Sequence, residues 1–318
     1  MRVALTVVPL GAAKAQLNEG SRRQTTDPLK GRFREGTGKH RCLLLCGFVA
    51  LTLQPRHADF QITILRMELL FVTFASALAG FVDAIVGGGG LILLPALFAV
   101  YPSGAPATLL GTNKSASVWG TTFAAWQYSR RVQMPWRVML PAAALAMAGS
   151  FAGAWLVTRV SPEFLRQLLP FVLLAVLGYT LVRKDMGQHH APRYQGRAEL
   201  LAACTVGVGI GFYDGFFGPG TGSFFVFLLV RWLGYDFLNA SVAAKLLNLS
   251  SNAAALVLFT LKGHVWWHLA LPMAVANVMG SLLGTRMALK HGAGFVRVVF
   301  IVVVSALICK TSWDAFLR

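Results

Sequence analysis

From Met67 onward, apolar runs of about twenty residues or more alternate with short polar or turn-forming breaks. The first run, Met67 to Tyr101, is interrupted only by Gly87–Gly90. As one helix its 35 or so residues would measure roughly 52 Å, far more than a hydrocarbon core of about 30 Å requires, yet it is too short for two full spans. Four successive glycines predict a helix break. The run is therefore either a span followed by a half-helix or a hairpin of two short helices. Tyr101-Pro102-Ser103-Gly104-Ala105-Pro106 closes it with turn residues. Spans follow at Thr108–Ser129, Trp136–Val157 and Phe164–Val182, then a polar linker over 183–197. Beyond the linker come Leu200–Trp232, broken at Gly218–Gly222, and then Leu238–Leu261, Trp266–Ala288 and Phe295–Ile308.

The second series copies the first at a constant offset of 131 residues. Gly80-Phe81-Val82-Asp83 maps onto Gly211-Phe212-Tyr213-Asp214, Lys114 onto Lys245, and Trp136 onto Trp267. Leu140-Pro141 maps onto Leu271-Pro272, Gly149-Ser150 onto Gly280-Ser281, Gly153 onto Gly284, and Arg166 onto Arg297, all without a gap. The pattern predicts an all-α polytopic membrane protein of about eight transmembrane helices, arranged as two four-helix internal repeats with Gly-rich broken helices. The expected partition is a basic extension (1–66), a first repeat (67–183), a linker (184–197), a second repeat (198–312) and a short tail (313–318). Re-entrant glycine segments would give three crossings per half and inverted repeats; full crossings would give four and parallel repeats.

Composition agrees with this class. At 56% apolar and 13% charged residues, with mean hydropathy +0.61, the chain lacks the charge to cover a water-facing surface. Its net charge of +17 is spread over loops and tail rather than over a folded basic module, which argues against nucleic acid and for membrane lipid as a partner. Arg130, Arg131 and Arg137 lie on the same side as the basic central linker. The excess of positive charge there puts the linker in the cytoplasm. Residues 1–66 hold eleven Lys or Arg against four acids and two apolar patches too short to span, and are expected to be a disordered basic tail. Met67 is the expected functional start. Cys42, Cys46, Cys204 and Cys309 form neither a zinc pattern nor a disulfide framework and are expected to be reduced thiols.

Charged side chains within spans are costly, by about 2.5 to 3.5 kcal/mol each on insertion scales. Asp83, Lys114, Asp214 and Lys245 form two repeat-related sets that sum to zero charge. Around them cluster Thr112, Asn113, Ser115 and Ser117, and Asn248, Ser250, Ser251 and Asn252. Lys114, Ser117 and Thr121 share one helical face, as do Lys245, Asn248 and Asn252. Unwound backbone at membrane depth is tolerated when it is buried in protein or lines a cavity. Half-helices resuming at Leu91 and near Ser223 would aim free N–H groups and a positive dipole end into such a cavity, with Thr221 and Ser223 as caps. The expected site for a small anionic solute comprises Gly87, Gly88, Gly89, Gly90, Lys114, Gly218, Gly220, Thr221, Gly222, Ser223, Lys245 and Asn248. Asp83 and Asp214 would either carry a coupling proton or hold the lysines as ion pairs. The blander alternative is glycine packing with structural ion pairs. His264 and His268 are expected at an interface. No metal or cofactor is expected, and no βαβ pattern surrounds the glycine runs to suggest a nucleotide.

Gly80-Phe-Val-Asp83-Ala-Ile-Val-Gly87-Gly88-Gly89-Gly90-Leu-Ile-Leu-Leu-Pro95, Gly111-Thr-Asn-Lys114, Gly211-Phe-Tyr-Asp214 through Gly222, and Asn239-Ala-Ser-Val-Ala-Ala-Lys245-Leu-Leu-Asn248 resemble the TauE/SafE family of sulfite and sulfonate exporters. The likeness covers roughly Met67 to Lys310. It implies an inner-membrane permease of about eight helices that moves sulfur-containing organic anions. Pro219 and Thr221 stand where the first half has Gly88 and Gly90, so the two half-sites need not be equivalent. The expected activity is secondary transport of small sulfur-containing or organic oxyanions by alternating access, without enzyme chemistry. The rivals are an anion channel and a non-transporting assembly or structural protein. A homodimer is an open option.

Overall fold

A computed structural model describes residues 66–130, 134–165, 167, 168, 171, 175 and 193–316, without the side chains of Phe237, Leu238 and residues 292–316. The N-terminal extension, most of the span expected at Phe164–Val182, and most of the linker lie outside the described residues. Every regular element described is helical. These are α1 (Arg66–Val86), α2 (Gly90–Val100), α3 (Pro106–Ser129), α4 (Trp136–Val157), α5 (Arg197–Phe216), α6 (Thr221–Leu228, running on through a π-helical turn, Leu229–Leu233), α7 (Phe237–Leu261) and α8 (Trp267–Phe316). Five stretches are long and apolar enough to cross a membrane: α1, α4, α5, Asn239–Leu261 of α7 and Trp267–His291 of α8.

The surface is inverted relative to a water-soluble protein. Leu70, Phe74, Leu201, Leu261, Leu271, Val275 and Met279 are exposed, while Lys114, Asp214, Asn248 and Asn252 are buried. Arg130 lies 4.1 Å from the Trp126 ring and Arg159 lies 4.7 Å from the Trp155 ring. These cation–π pairs at the ends of α3 and α4 suit the headgroup level. In lipid there is no hydrophobic drive to join helices, so contact comes from close backbone packing on small residues. Gly207, Gly211 and Gly215 of α5 press against the backbone of Ala142, Ala146 and Ser150 of α4, and a methyl group on any of them would collide with it. Gly280 and Gly284 of α8 meet Ala77 and Phe81 of α1 in the same manner.

These contacts fix the helix directions. The α4–α5 contacts advance together along both chains, so these helices are parallel. α1 and α8 are parallel too, with Ser76 bonded to the Met273 carbonyl at 2.7 Å and Gly284 against Phe81 further along. α3 runs with α8: the Trp266 amide donates to Thr112 Oγ1 at 3.1 Å, and Ser281 Oγ donates to the Gly120 carbonyl at 2.6 Å. α7 runs with α4, through Ser150 Oγ on the Ser251 carbonyl at 2.6 Å and Lys262 Nζ on Thr158 Oγ1 at 2.7 Å. α3 opposes α7, since Leu110 clusters with Leu258 and Phe259 whereas Ala124 and Tyr128 cluster with Val242.

At both glycine breaks the chain turns back. Leu69 and Val72, near the start of α1, share a cluster with Leu97, Val100 and Tyr101 at the end of α2. At the second break the return is explicit: Tyr235, beyond α6, bonds Glu199 at the start of α5 at 2.5 Å, and the Arg193 amide donates to the Leu233 carbonyl at 2.9 Å. In both segments a helix of span length (α1, 21 residues; α5, 20 residues) is followed by a short helix that turns back, which is the span-and-half-helix alternative. Gly87 (φ +81°) and Gly218 (φ +94°), 131 residues apart, hold the left-handed conformations that these reversals need.

One expected boundary is absent. Separate spans at Trp266–Ala288 and Phe295–Ile308 are replaced by one unbroken helix from Trp267 to Phe316. The polar Lys290-His291 and the glycines after it read as a loop, but no proline removes a backbone donor there, and glycine lowers helix propensity without ending a helix.

Candidate functional site

The four charged residues meet in the interior where the two segments turn back. Lys114 of α3 lies 2.5 Å from Asp214 Oδ1 of α5, with side-chain exposures of 2% and 1%. The other oxygen of Asp214 accepts from Ser251 Oγ at 2.7 Å. Lys245 of α7 lies 3.0 Å from Asp83 Oδ2 of α1, with exposures of 5% and 16%, and also donates to the Asp83 backbone carbonyl. Around Asp83 the remaining contacts are long: Thr121 Oγ1 donates to Oδ2 and the Gly89 amide to Oδ1, each at 3.4 Å. The pairing is crosswise. Each lysine meets the aspartate 131 residues away from the one in its own series, and the Ser150–Ser251 and Ser281–Gly120 bonds obey the same exchange.

The two reversals also touch each other. Gly87 and Gly222 pack backbone to backbone, the Ser223 amide donates to the Gly87 carbonyl at 3.2 Å, and Ser223 Oγ donates to the Val86 carbonyl at 2.8 Å. A side chain at Gly218 would stand 2.8 Å from Lys114 Nζ. The glycines thus admit neighbouring backbone and an ammonium group where any larger residue would exclude them.

Between these groups lies a cleft lined by Asp83, Gly87, Gly90, Asn113, Lys114, Ser117, Asp214, Gly218, Thr221, Gly222, Asn248 and Asn252. Of the residues expected to contact a solute, it gathers Gly87, Gly90, Lys114, Gly218, Thr221, Gly222 and Asn248. Gly88, Gly89, Gly220, Ser223 and Lys245 are not on its wall. Lys245 is turned onto Asp83, and Ser223 onto Val86. The expected caps are a correction: α6 has Gly220 at its N-cap, in the left-handed region, with no side-chain cap. Thr221 Oγ1 instead donates back to the Gly218 carbonyl at 2.7 Å, because the tight turn brings that acceptor closer than the free amides. α2 begins at Gly90, one residue earlier than expected.

Asn113, Ser117 and Asn252 complete the wall, and all three had stood in the polar clusters on the lysine-bearing helices. Ser117 and Asn252 share the faces of Lys114 and Lys245, which was the available signal. Asn113 is 4% exposed, and its Oδ1 has no hydrogen-bond partner. Asn252 Nδ2, by contrast, bonds the backbone and side-chain oxygens of Asn248 at 2.7 and 3.0 Å. A buried orphan acceptor is costly unless something fills its valence. At one end of the bundle, outside the spans, His264 Nδ1 lies 3.2 Å from Thr108 Oγ1, and burial together with Lys262 lowers the His264 pKa below its ordinary value.

An apolar helical exterior around a buried, charge-lined cleft defines a polytopic membrane protein with an internal polar site. A family profile described as "Sulfite exporter TauE/SafE" matches residues 72–311. This chain belongs to the TauE/SafE family. It is similar to a "Probable membrane transporter protein ORF9" of Sinorhizobium sp, 37% identical over 247 residues, which are 77% of this chain and 93% of the relative. It is also similar to "Probable membrane transporter protein YfcA" of Escherichia coli (strain K12), 36% identical over 256 residues (80% and 93%), and to a "Probable membrane transporter protein" of Haemophilus influenzae, 33% over 249 residues (78% and 96%). No solved structure matches the chain.

Proposed function

We propose that this protein is a secondary transporter of small sulfur-containing or organic oxyanions across the inner membrane, with its central linker in the cytoplasm. The carrying observation is the cleft itself: a polar pocket at the junction of two helix reversals, crossed by two ion pairs. The names of the family and of its relatives support the activity class.

The reversed directions of α1 and α5, of α3 and α7, and of α4 and α8, each related by the 131-residue offset, support two inverted repeats. In such an arrangement the same local structure opens to either side of the membrane, which is the geometric basis of alternating access. The anion would be met on the cleft wall by the Lys114 ammonium and by the amide side chains of Asn113 and Asn248, since most amides at the starts of α2 and α6 already donate to neighbouring carbonyls. The test is counterflow and uptake by proteoliposomes of the purified full chain with sulfite, sulfoacetate, taurine, methanesulfonate and simple carboxylates. Saturable flux at carrier rates is the expected result; channel-like unsaturable flux, or none for any anion, overturns the reading.

A further inference from the structure

The two ion pairs are equivalent by sequence offset but unequal in chemistry. Asp214 is sealed: one oxygen is held by Lys114 at 2.5 Å, the other by Ser251 at 2.7 Å, and its side chain is 1% exposed. Asp83 is loosely held: its lysine is at 3.0 Å, its two other contacts are at 3.4 Å, and its side chain is 16% exposed on the cleft wall. The difference traces to the copies themselves, since Gly120 stands where the second series has Ser251. Both aspartates line the cleft, but Asp83 is the more open to it, whereas Asp214 is covered by its own partners.

The charge balance supplies the motive. Two lysines and two aspartates sum to zero, and both lysines are paired, so the resting cleft offers an anion no net charge. We infer that Asp83 is the group that takes up a proton with each anion, while Lys114–Asp214 remains a fixed brace. This rests on the transport reading above. A hydronium O–H bond breaks as its proton joins an Asp83 carboxylate oxygen, leaving a water molecule, and no other covalent bond changes. Lys245 loses its counter-charge but keeps its bond to the Asp83 backbone carbonyl, so it stays in place and leaves the site one positive charge in excess. A monoanion then restores neutrality, and proton and anion cross together. When the anion departs on the far side, Asp83 re-forms its pair with Lys245 and the proton leaves to water.

The charged and titratable groups that bear on Asp83 are few. α7 presents Lys245, and α3 presents Lys114 and, further off, Tyr128, which bonds the Ala84 carbonyl. α5 presents Asp214 across the cleft. Among its described side chains, α8, packed on α1, presents the neutral Asn277, Ser281 and Thr285 as buried polar groups. Lys245 is the one whose charge changes partner.

The experiment uses proteoliposomes of the full chain with a pH-sensitive dye inside. Its probes are methanesulfonate, which takes up no proton near neutral pH, and sulfite. Wild-type protein is expected to acidify the lumen as methanesulfonate enters, at about one proton per anion. Asp83→Asn, fixed in the neutral form, should lose lumen acidification and the pH dependence of counterflow, so that the anion exchange it retains is no longer coupled to protons. Asp83→Glu should restore proton movement with a shifted pH profile, which rescues the test if the asparagine variant does not fold. Wild-type flux without proton movement overturns the inference and leaves the transport reading standing, as does acidification that persists in Asp83→Asn. Absence of counterflow with either probe overturns both.

Discussion

The ammonium group of Lys114 sits 2.5 Å from the carboxylate of Asp214, and neither side chain is more than 2% exposed. A buried charge that loses its partner costs about 3 to 5 kcal/mol, far more than the intact pair contributes. Lys114→Met is therefore expected to lower thermal stability in detergent sharply, and Lys114→Met combined with Asp214→Asn to recover at least half of the loss. A double variant no more stable than the single one would show that the pair does not carry the burial cost.

Gly87 and Gly222 make the second prediction. Their backbones are in contact, and Gly87 has φ +81°, a conformation that costs an alanine about 1–2 kcal/mol before any clash is counted. Gly87→Ala should both destabilise the protein and reduce flux, because the two reversals have to separate to admit the methyl. Gly222→Ala should do the same through the clash alone. Thermal unfolding and counterflow, measured on the same preparation, check both.

Within α5, two glycines two residues apart make a controlled comparison. A methyl on Gly211 would meet the Ala146 backbone, whereas Gly209 faces open space. Gly209→Ala should be neutral or stabilising by up to about 1 kcal/mol, since alanine is the better helix former. Gly211→Ala should separate α4 from α5, with a lower melting temperature and faster protease nicking.

His264 provides a pH prediction. Its folded pKa lies below its ordinary value, through burial first and Lys262 second. The unfolded chain therefore takes up this proton at a higher pH than the folded one. The resulting stability is present in full above about pH 6.5 and is lost as pH falls through the lower folded value. A melting curve run from pH 8 down to 5 should show a shallow decline that His264→Gln removes.

Asn113 tests the cleft itself. Its unpaired Oδ1 should be met by a solute or its hydration water, so Asn113→Ala should change the half-saturating anion concentration more than the maximal rate. Unaltered kinetics would remove Asn113 from the site.

Much of this organisation could be read before any coordinates. The 131-residue offset picked out Asp83, Lys114, Asp214 and Lys245, and the helical faces bearing Ser117 and Asn252 pointed into the cleft. An offset states which residues are equivalent, however, not which ones touch, so the crosswise pairing was invisible. Thirty-five apolar residues with a central break fit a full crossing or a turn back equally well. Only long-range contacts such as Tyr235 with Glu199 separate the two. The continuous α8 was missed because polarity after Met287 resembles a loop, and polarity alone does not break backbone hydrogen bonds. Lys245 has sequence neighbours like those of Lys114, but it is turned onto Asp83 and lies off the cleft wall, which its sequence context does not show.

The Lys114–Asp214 distance along the chain has a consequence for biogenesis. The two residues are 100 positions apart, so the ribosome delivers the cation long before its counter-ion. At synthesis rates of about 5–20 residues per second, the nascent protein holds an unneutralised lysine for roughly 5–20 s. The Lys114–Asp214 contact, and with it the seal on that side of the cleft, therefore closes only after α5 has been translated.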